Sequence, residues 1–170
     1  VSSKAKTSAG LLPFRFSDGS LEVLLAHMGG PFWAAKDDGA WSIVKGEYDD
    51  REEPYAAARR EFEEETGSPP PPGEPLDLGE VRQSSGKRVI AWAIEGEFDP
   101  DRLVSNTFAI EWPRGSGAQR EFPEIDRVAW FDCDTAGRKL VRGQAALIDA
   151  LVARVGGEAT ARHADGAESG

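Results

Sequence analysis

Residues 46–67 read Gly46-Glu47-Tyr48-Asp49-Asp50-Arg51-Glu52-Glu53-Pro54-Tyr55-Ala56-Ala57-Ala58-Arg59-Arg60-Glu61-Phe62-Glu63-Glu64-Glu65-Thr66-Gly67. The second half of this stretch carries the marks of a helix. Glu52 and Glu53 sit where a helix dipole favours negative charge, and Pro54 suits the first turn. Gly67 supplies a C-terminal stop, reinforced by the prolines at 69 to 72. Tyr55, Ala58 and Phe62 fall at i, i+3 and i+7, which gives one buried face. On the same helix Glu61, Glu64 and Glu65 are three and four apart, so the three carboxylates share a face. Arg59 is spaced to pair with Glu63, and Arg60 with Glu64 or with Glu52. Glu61 and Glu65 have no cation at i±4. Like charges so spaced cost about 0.2–0.5 kcal/mol per pair, and they lie near the helix C-terminus, where the dipole disfavours anions. A run of glutamates on a helix is usually a solvated face, and residues 61–65 alone support no more than that. A bound divalent cation would remove both penalties.

The longer pattern decides between these readings. Gly46, five residues, Glu52, seven residues, then Arg-Glu-apolar-any-Glu-Glu-any-Gly resembles the signature of the Nudix hydrolases. Seven positions are fixed in identity; at roughly one in fifteen each, chance gives about one in 10⁸ per start, and glutamate richness weakens that by about two orders of magnitude. The resemblance implies a loop–helix–loop in which Glu61, Glu64 and Glu65 hold Mg²⁺ or Mn²⁺ and the Gly46 carbonyl can join them. It implies an Arg60–Glu52 ion pair that orients the glutamates. It also implies metal-assisted hydrolysis of a phosphoanhydride bond, with Glu61, Glu64 or Glu124 as the catalytic base. Glu124 is included because family members often place a working glutamate in the loop before the last strand; a solvated loop glutamate is the alternative there. Two positions depart from the family pattern: Ser68 stands where an aliphatic residue is usual, and Val44 where proline is frequent. Both concern packing and loop rigidity, not ligands.

Working outward, Ser8 to Phe16 and Leu21 to His27 flank the turn signal Ser17-Asp18-Gly19-Ser20 and predict a hairpin. Gly29-Gly30-Pro31 opens an irregular loop that runs to Gly39, and Trp41-Ser42-Ile43-Val44 predicts one brief strand ending at Lys45-Gly46. Ser68 to Pro75 is a surface loop. Leu76 to Gln83 and Lys87 to Glu97 predict two strands, the second apolar on both faces and therefore central. Phe108 to Trp112 and Arg127 to Phe131 predict further strands, and Gly143 to Val155 a terminal helix with Ile148, Leu151, Val152 and Val155 on one face. Residues 156–170 are small, polar and without period, so a flexible tail is expected after a domain spanning 1–155. Strands on both sides of a helix, then a last helix, predict an α/β protein with a mixed sheet flanked by helices. The Nudix resemblance sharpens this to an α/β/α sandwich around a central mixed β-sheet.

At 170 residues, with 39% hydrophobic and 29% charged side chains, the chain suits one folded domain with a single core. A net charge of −10 disfavours nucleic acid as a partner. It equally repels a free nucleotide unless a cation is bound among the carboxylates. No apolar run reaches the roughly 18 residues that span a bilayer, so no membrane partner is expected. One cysteine, Cys133, forms no internal disulfide and has no evident base beside it. With no secretory signal pattern in the first residues, a cytoplasmic location is the expectation. The expected partner is a small nucleotide, and the sequence specifies no oligomeric state.

The wider layout resembles diadenosine tetraphosphate hydrolases through Ala9 to Leu12, Val89-Ile90-Ala91-Trp92, and Glu124 six residues before Trp130. That likeness favours a nucleoside diphosphate linked to another group, such as a dinucleoside polyphosphate. Oxidised-nucleotide or nucleotide-sugar hydrolysis is the alternative, and a non-enzymatic nucleotide sensor fits less well with Glu61, Glu64 and Glu65 all present. Lys45, beside the signature, is the lysine placed to meet substrate phosphates; Lys36, Lys87 and Arg88 are weaker candidates. Phe32, Trp33 and Trp112 lie in loops and could stack on a base, whereas Trp92 reads as core.

Overall fold

A computed structural model describes the backbone of residues 7–167 and side chains from 7 to 156. The expected hairpin is present: β1 (Thr7–Ser17) and β2 (Ser20–Met28) pair antiparallel from Ser17–Ser20 up to Phe14–Val23. Asp18 and Gly19 both have positive φ (51° and 80°), the left-handed pair that a two-residue hairpin turn requires.

Beyond Phe14 and Val23 the two strands part, and the next segment fills the fork. β3 (Trp41–Ser42) pairs with β2, whereas β4 (Val44–Glu47) pairs with β1 through Leu11–Val44 to Ser8–Glu47. The single strand expected over Trp41 to Val44 is therefore two strands that change partner at Ile43, and the second runs on through Lys45 and Gly46. Gln144 holds the crossing. Its Oε1 accepts the Ile43 N–H at 3.0 Å, and its Nε2 donates to Ser42 Oγ at 3.0 Å. Gly10 makes room for it, because a Cβ there would press on Ile43 Cδ1 at 2.6 Å.

On the far edge of β1 lies β6 (Arg88–Glu95), parallel to it, with β5 (Leu76–Arg82) antiparallel outside. The far edge of β2 carries β9 (Ile125–Asp132), antiparallel. One parallel contact among antiparallel ones makes the sheet mixed, and β6 is interior as expected from its apolar faces.

Alternation along the strands feeds two cores. Leu12, Phe14, Val23 and Leu25 face α2 (Cys133–Lys139) and α3 (Ala145–Ala167), meeting Ala136, Leu140, Leu147 and Leu151. Ala9, Leu11, Leu24 and Ala26 face α1 (Pro54–Thr66), meeting Ala57, Ala58 and Phe62. The result is an α/β/α sandwich. Phe62 is fully buried and meets Phe98 edge to face at 5.7 Å.

β7 (Thr107–Glu111) and β8 (Gln119–Pro123) form a separate two-stranded ribbon leading into Glu124. The sequence anticipated β7 but not β8. The flexible tail expected from Gly156 concerns residues whose side chains, from 157 on, lie outside the described residues; the backbone of α3 is helical to Ala167. Among the described residues no helix is long and apolar enough to cross a membrane.

Candidate functional site

The signature stretch runs from the end of β4 through a loop into α1, which stops at Gly67 as the sequence predicts. Glu53 is the N-cap, accepting from the Tyr55 and Ala56 amides at 3.2 and 2.8 Å. Gly67 ends the helix at φ 76°, its N–H donating to the Glu63 carbonyl. Side chains then divide by function along α1. Ala57, Ala58, Glu61, Phe62 and Thr66 are buried, and Tyr55, expected in the same face, is half-buried against Trp92.

Glu61 is turned inward against the backbone of Gly46. A Cβ at position 46 would coincide with the Glu61 carboxylate, so only glycine admits this approach. The carboxylate is pushed up in pKa by burial, an effect that the neighbouring Arg60 opposes. Glu65, one turn on, lies half-buried. Burial, then the charges of Glu124, Glu61 and Glu64, push it up to about 7, with Lys45 pulling the other way. Glu64 is more exposed, so the three carboxylates do not share one environment.

Arg60 organises the remaining charge. Its guanidinium grips Glu52 with two bonds, Nε to Oε2 at 2.6 Å and Nη2 to Oε1 at 2.8 Å. Its Nη1 reaches Glu61 at 2.9 Å and Glu64 at 3.0 Å. Glu52 is held below the usual carboxylate range by this grip, and Arg60 is raised by it. The expected pairing of Arg60 with Glu52 and Glu64 is present, with Glu61 added. Arg59 turns to Tyr55 Oη at 3.3 Å rather than to Glu63.

A cavity of about 180 Å³ opens beside this cluster, lined by Lys45, Glu65 and Glu124 together with Ala26, Met28, Ser42, Ile43 and Ile125. Glu124 follows β8 and is fixed by its backbone: its N–H donates to the Asn106 carbonyl at 2.7 Å, and its carbonyl accepts from Gly29 at 2.9 Å. Its carboxylate has no hydrogen-bond or ion-pair partner among the described residues. Lys45 is partly buried; burial, then Lys87, lowers its pKa, against the charges of Glu47, Glu65 and Glu61.

Other candidates are placed elsewhere. Arg88 is committed to Glu80 on β5, and Lys87 faces Glu47 at 3.7 Å. Trp92 packs on Tyr55 in the core, and Trp112 sits at the far end of the β7–β8 ribbon. Cys133 is half-buried, and burial with Asp132 and Asp134 pushes its thiol up, the opposite of an activated nucleophile. Nothing in the sequence marks Gln144, whose partners are more than a hundred residues away. Met28 follows the strand predicted over Leu21 to His27 and Ile43 lies within the one predicted over Trp41 to Val44, and nothing in the sequence marks either as a cavity wall.

The donor set consists of hard oxygen ligands suited to Mg²⁺, which takes one or two carboxylates and completes its shell with water and phosphate oxygens. The glycine cradle under Glu61 fits that use. Among the described residues no three carboxylates close into a ready cage; the Arg60 guanidinium lies between Glu61 and Glu64 and supplies the neutralising charge.

A family model described as NUDIX domain matches residues 5–151. No curated protein matches the chain. Among solved structures, the fold is similar to C. elegans Ap4A hydrolase in a binary complex, at TM-score 0.61 and 20% identity, covering 90% of this chain and 99% of that one. It is similar to the NUDIX domain of Shewanella oneidensis NrtR complexed with ADP ribose, at TM-score 0.59 and 18% identity, covering 90% of each chain. A mutT/nudix family protein from Listeria innocua gives TM-score 0.58 at 17% identity, covering 92% of this chain and 98% of that one.

Proposed function

The chain belongs to the Nudix domain family, and from that premise we propose that it is a Mg²⁺- or Mn²⁺-dependent pyrophosphohydrolase. Its substrate is a nucleoside diphosphate linked to a further group. The observation that carries this reading is the convergence of Glu65, Glu124 and Lys45 on one cavity, next to the Glu61 carboxylate cradled by Gly46.

Glu61, Glu64, Glu65 and the Gly46 carbonyl are the groups that would hold the cation. A divalent ion held there would supply positive charge to the diphosphate and a water of lowered pKa. Arg60, fixed by Glu52, keeps Glu61 and Glu64 turned toward the site. Lys45 offers its ammonium to a substrate phosphate from within the cavity wall. Glu124, with no competing partner for its carboxylate, is the residue best placed to take the proton from the attacking water. Glu61 and Glu64 are less suited, because Arg60 already occupies an oxygen of each.

Dinucleoside polyphosphates are the leading substrate class, following the sequence likeness of Ala9–Leu12 and Glu124 to diadenosine tetraphosphate hydrolases. Nucleotide sugars and oxidised nucleotides are the alternative. The test is incubation with Mg²⁺ and a panel of diadenosine tetraphosphate, ADP-ribose, 8-oxo-dGTP and dinucleotide cofactors, with products resolved by chromatography. Cleavage at an anhydride that stops on chelation, with one class turned over at least ten-fold faster, is the expected result. Binding without cleavage of any member would replace the enzyme by a nucleotide sensor.

A further inference from the structure

The loop between β2 and β3 is held at both ends and through its middle, yet it presents a large aromatic ring to solvent. Its root is part of the cavity wall: Met28 lines the cavity, and the Gly29 amide donates to the Glu124 carbonyl at 2.9 Å. Gly30 sits under Phe108 of β7, where a Cβ would come within 2.8 Å of the ring. Further along, the Lys36 carbonyl accepts from Nε2 of fully buried His27 at 2.7 Å. Asp37 accepts from Trp41 Nε1 at 2.9 Å and pairs with Lys139 of α2 at 2.5 Å. Trp33 packs its ring on the core beneath α2 and α3. A loop so anchored has little freedom to hide its apolar residue, and Phe32 remains 58% exposed.

The geometry around Phe32 is that of a platform with one face in use. The Lys36 ammonium stands 3.6 Å from the Phe32 centroid and 5.2 Å from that of Trp33. The two rings are 4.9 Å apart and perpendicular at 89°. These three distances put Trp33 at the edge of Phe32 and not across its face. The face opposite the ammonium therefore meets no other ring among the described residues. An exposed ring with a fixed support is the arrangement that binds a planar partner by stacking, and the neighbouring cation favours a partner that carries negative charge.

We infer that the β2–β3 loop is a base-binding subsite, in which Phe32 stacks on the nucleobase of a nucleoside phosphate and Lys36 draws in its phosphate. This rests on the reading that the cavity at the loop's root takes the substrate's phosphates. Specificity for the ring and chemistry at the anhydride are then carried by separate elements, the loop and α1.

The test compares AMP with ribose 5-phosphate, which share the phosphate and differ by the base, in equilibrium binding to the full chain. Wild type is expected to bind AMP about ten-fold more tightly, the scale of one base–aromatic stack. Phe32→Ala and Phe32→Leu should remove that preference while leaving ribose 5-phosphate affinity and melting temperature unchanged, and Phe32→Trp should restore it. Lys36→Met should weaken both ligands together. Equal affinity of wild type for the two ligands, or an undiminished preference in Phe32→Ala, would overturn the assignment. Mg²⁺-dependent anhydride cleavage is scored separately. Cleavage without a base preference sinks this inference alone. A Phe32-dependent preference without cleavage sinks the proposed reaction and leaves the subsite standing.

Discussion

At position 46 no side chain has room, because the Glu61 carboxylate fills the space a Cβ would take. Gly46→Ala is therefore expected to displace Glu61 without unfolding the chain. Apparent Mg²⁺ affinity should fall roughly 10- to 100-fold, the range found when a group orienting a ligand is lost; a Mg²⁺ titration of activity beside a melting curve reads both. Glu65 supplies a prediction in pH. Its pKa is raised to about 7 in the metal-free fold, against about 4.3 in an unfolded chain. Between those values the folded protein holds a proton that the unfolded chain has released, so metal-free stability should fall as pH rises through that window and level off above it. Urea midpoints at pH 5 and pH 8 in the presence of chelator should show this fall in wild type and a smaller one in Glu65→Gln. An equal fall in the two proteins would mean that Glu65 is not the group responsible.

Among the elements, the crossing from β3 to β4 delivers Lys45 and Gly46 to the site, and Gln144 holds it from α3's side of the sheet. Gln144→Leu leaves the Ile43 N–H without its acceptor inside the core, at a cost of about 1–3 kcal/mol. Denaturant unfolding checks this, and a change under a few tenths of a kcal/mol would show the crossing to be self-supporting. The same crossing marks where the sequence was hardest to interpret. Trp41-Ser42-Ile43-Val44 is only four residues long, and periodicity over so short a run does not say that it changes partner at its third residue. β8 is not legible in the sequence because Gln119–Pro123 has no buried face, nor is α2, because Cys133–Lys139 is too short to show an apolar period. By contrast α1 was legible: two acids where the dipole favours them, a proline, a core stripe and a terminal glycine agree with one another, and the structure adds that Glu53 is the cap. The carboxylates were legible as a set but not in their differences. Sequence spacing put Glu61, Glu64 and Glu65 on one face, and only the approach of β4 makes Glu61 buried and leaves Glu64 exposed.

On the scale of the whole molecule, one sheet separates two apolar cores, and the carboxylates of the signature lie on the side of α1. Phe62 ties that helix to the sheet, and Phe62→Ala should cost about 3–5 kcal/mol by opening a cavity beneath the signature. A melting curve with and without Mg²⁺ would show whether ligand binding recovers part of that loss, as linkage requires when the ion binds only the folded state. With a net charge of −10, an anionic substrate meets attraction where cations stand, at Lys45, at Lys36 on the β2–β3 loop, and at the divalent ion proposed for the glutamates. The account therefore turns on metal dependence. Its most direct test is the rate of anhydride cleavage across a Mg²⁺ titration for wild type and Glu61→Gln, with folding of each confirmed by its melting transition. Wild type should show a saturable dependence abolished by chelator, and Glu61→Gln should lose about 100-fold or more in rate and require far more Mg²⁺. Cleavage that persists in chelator, or that is the same in Glu61→Gln, would contradict it.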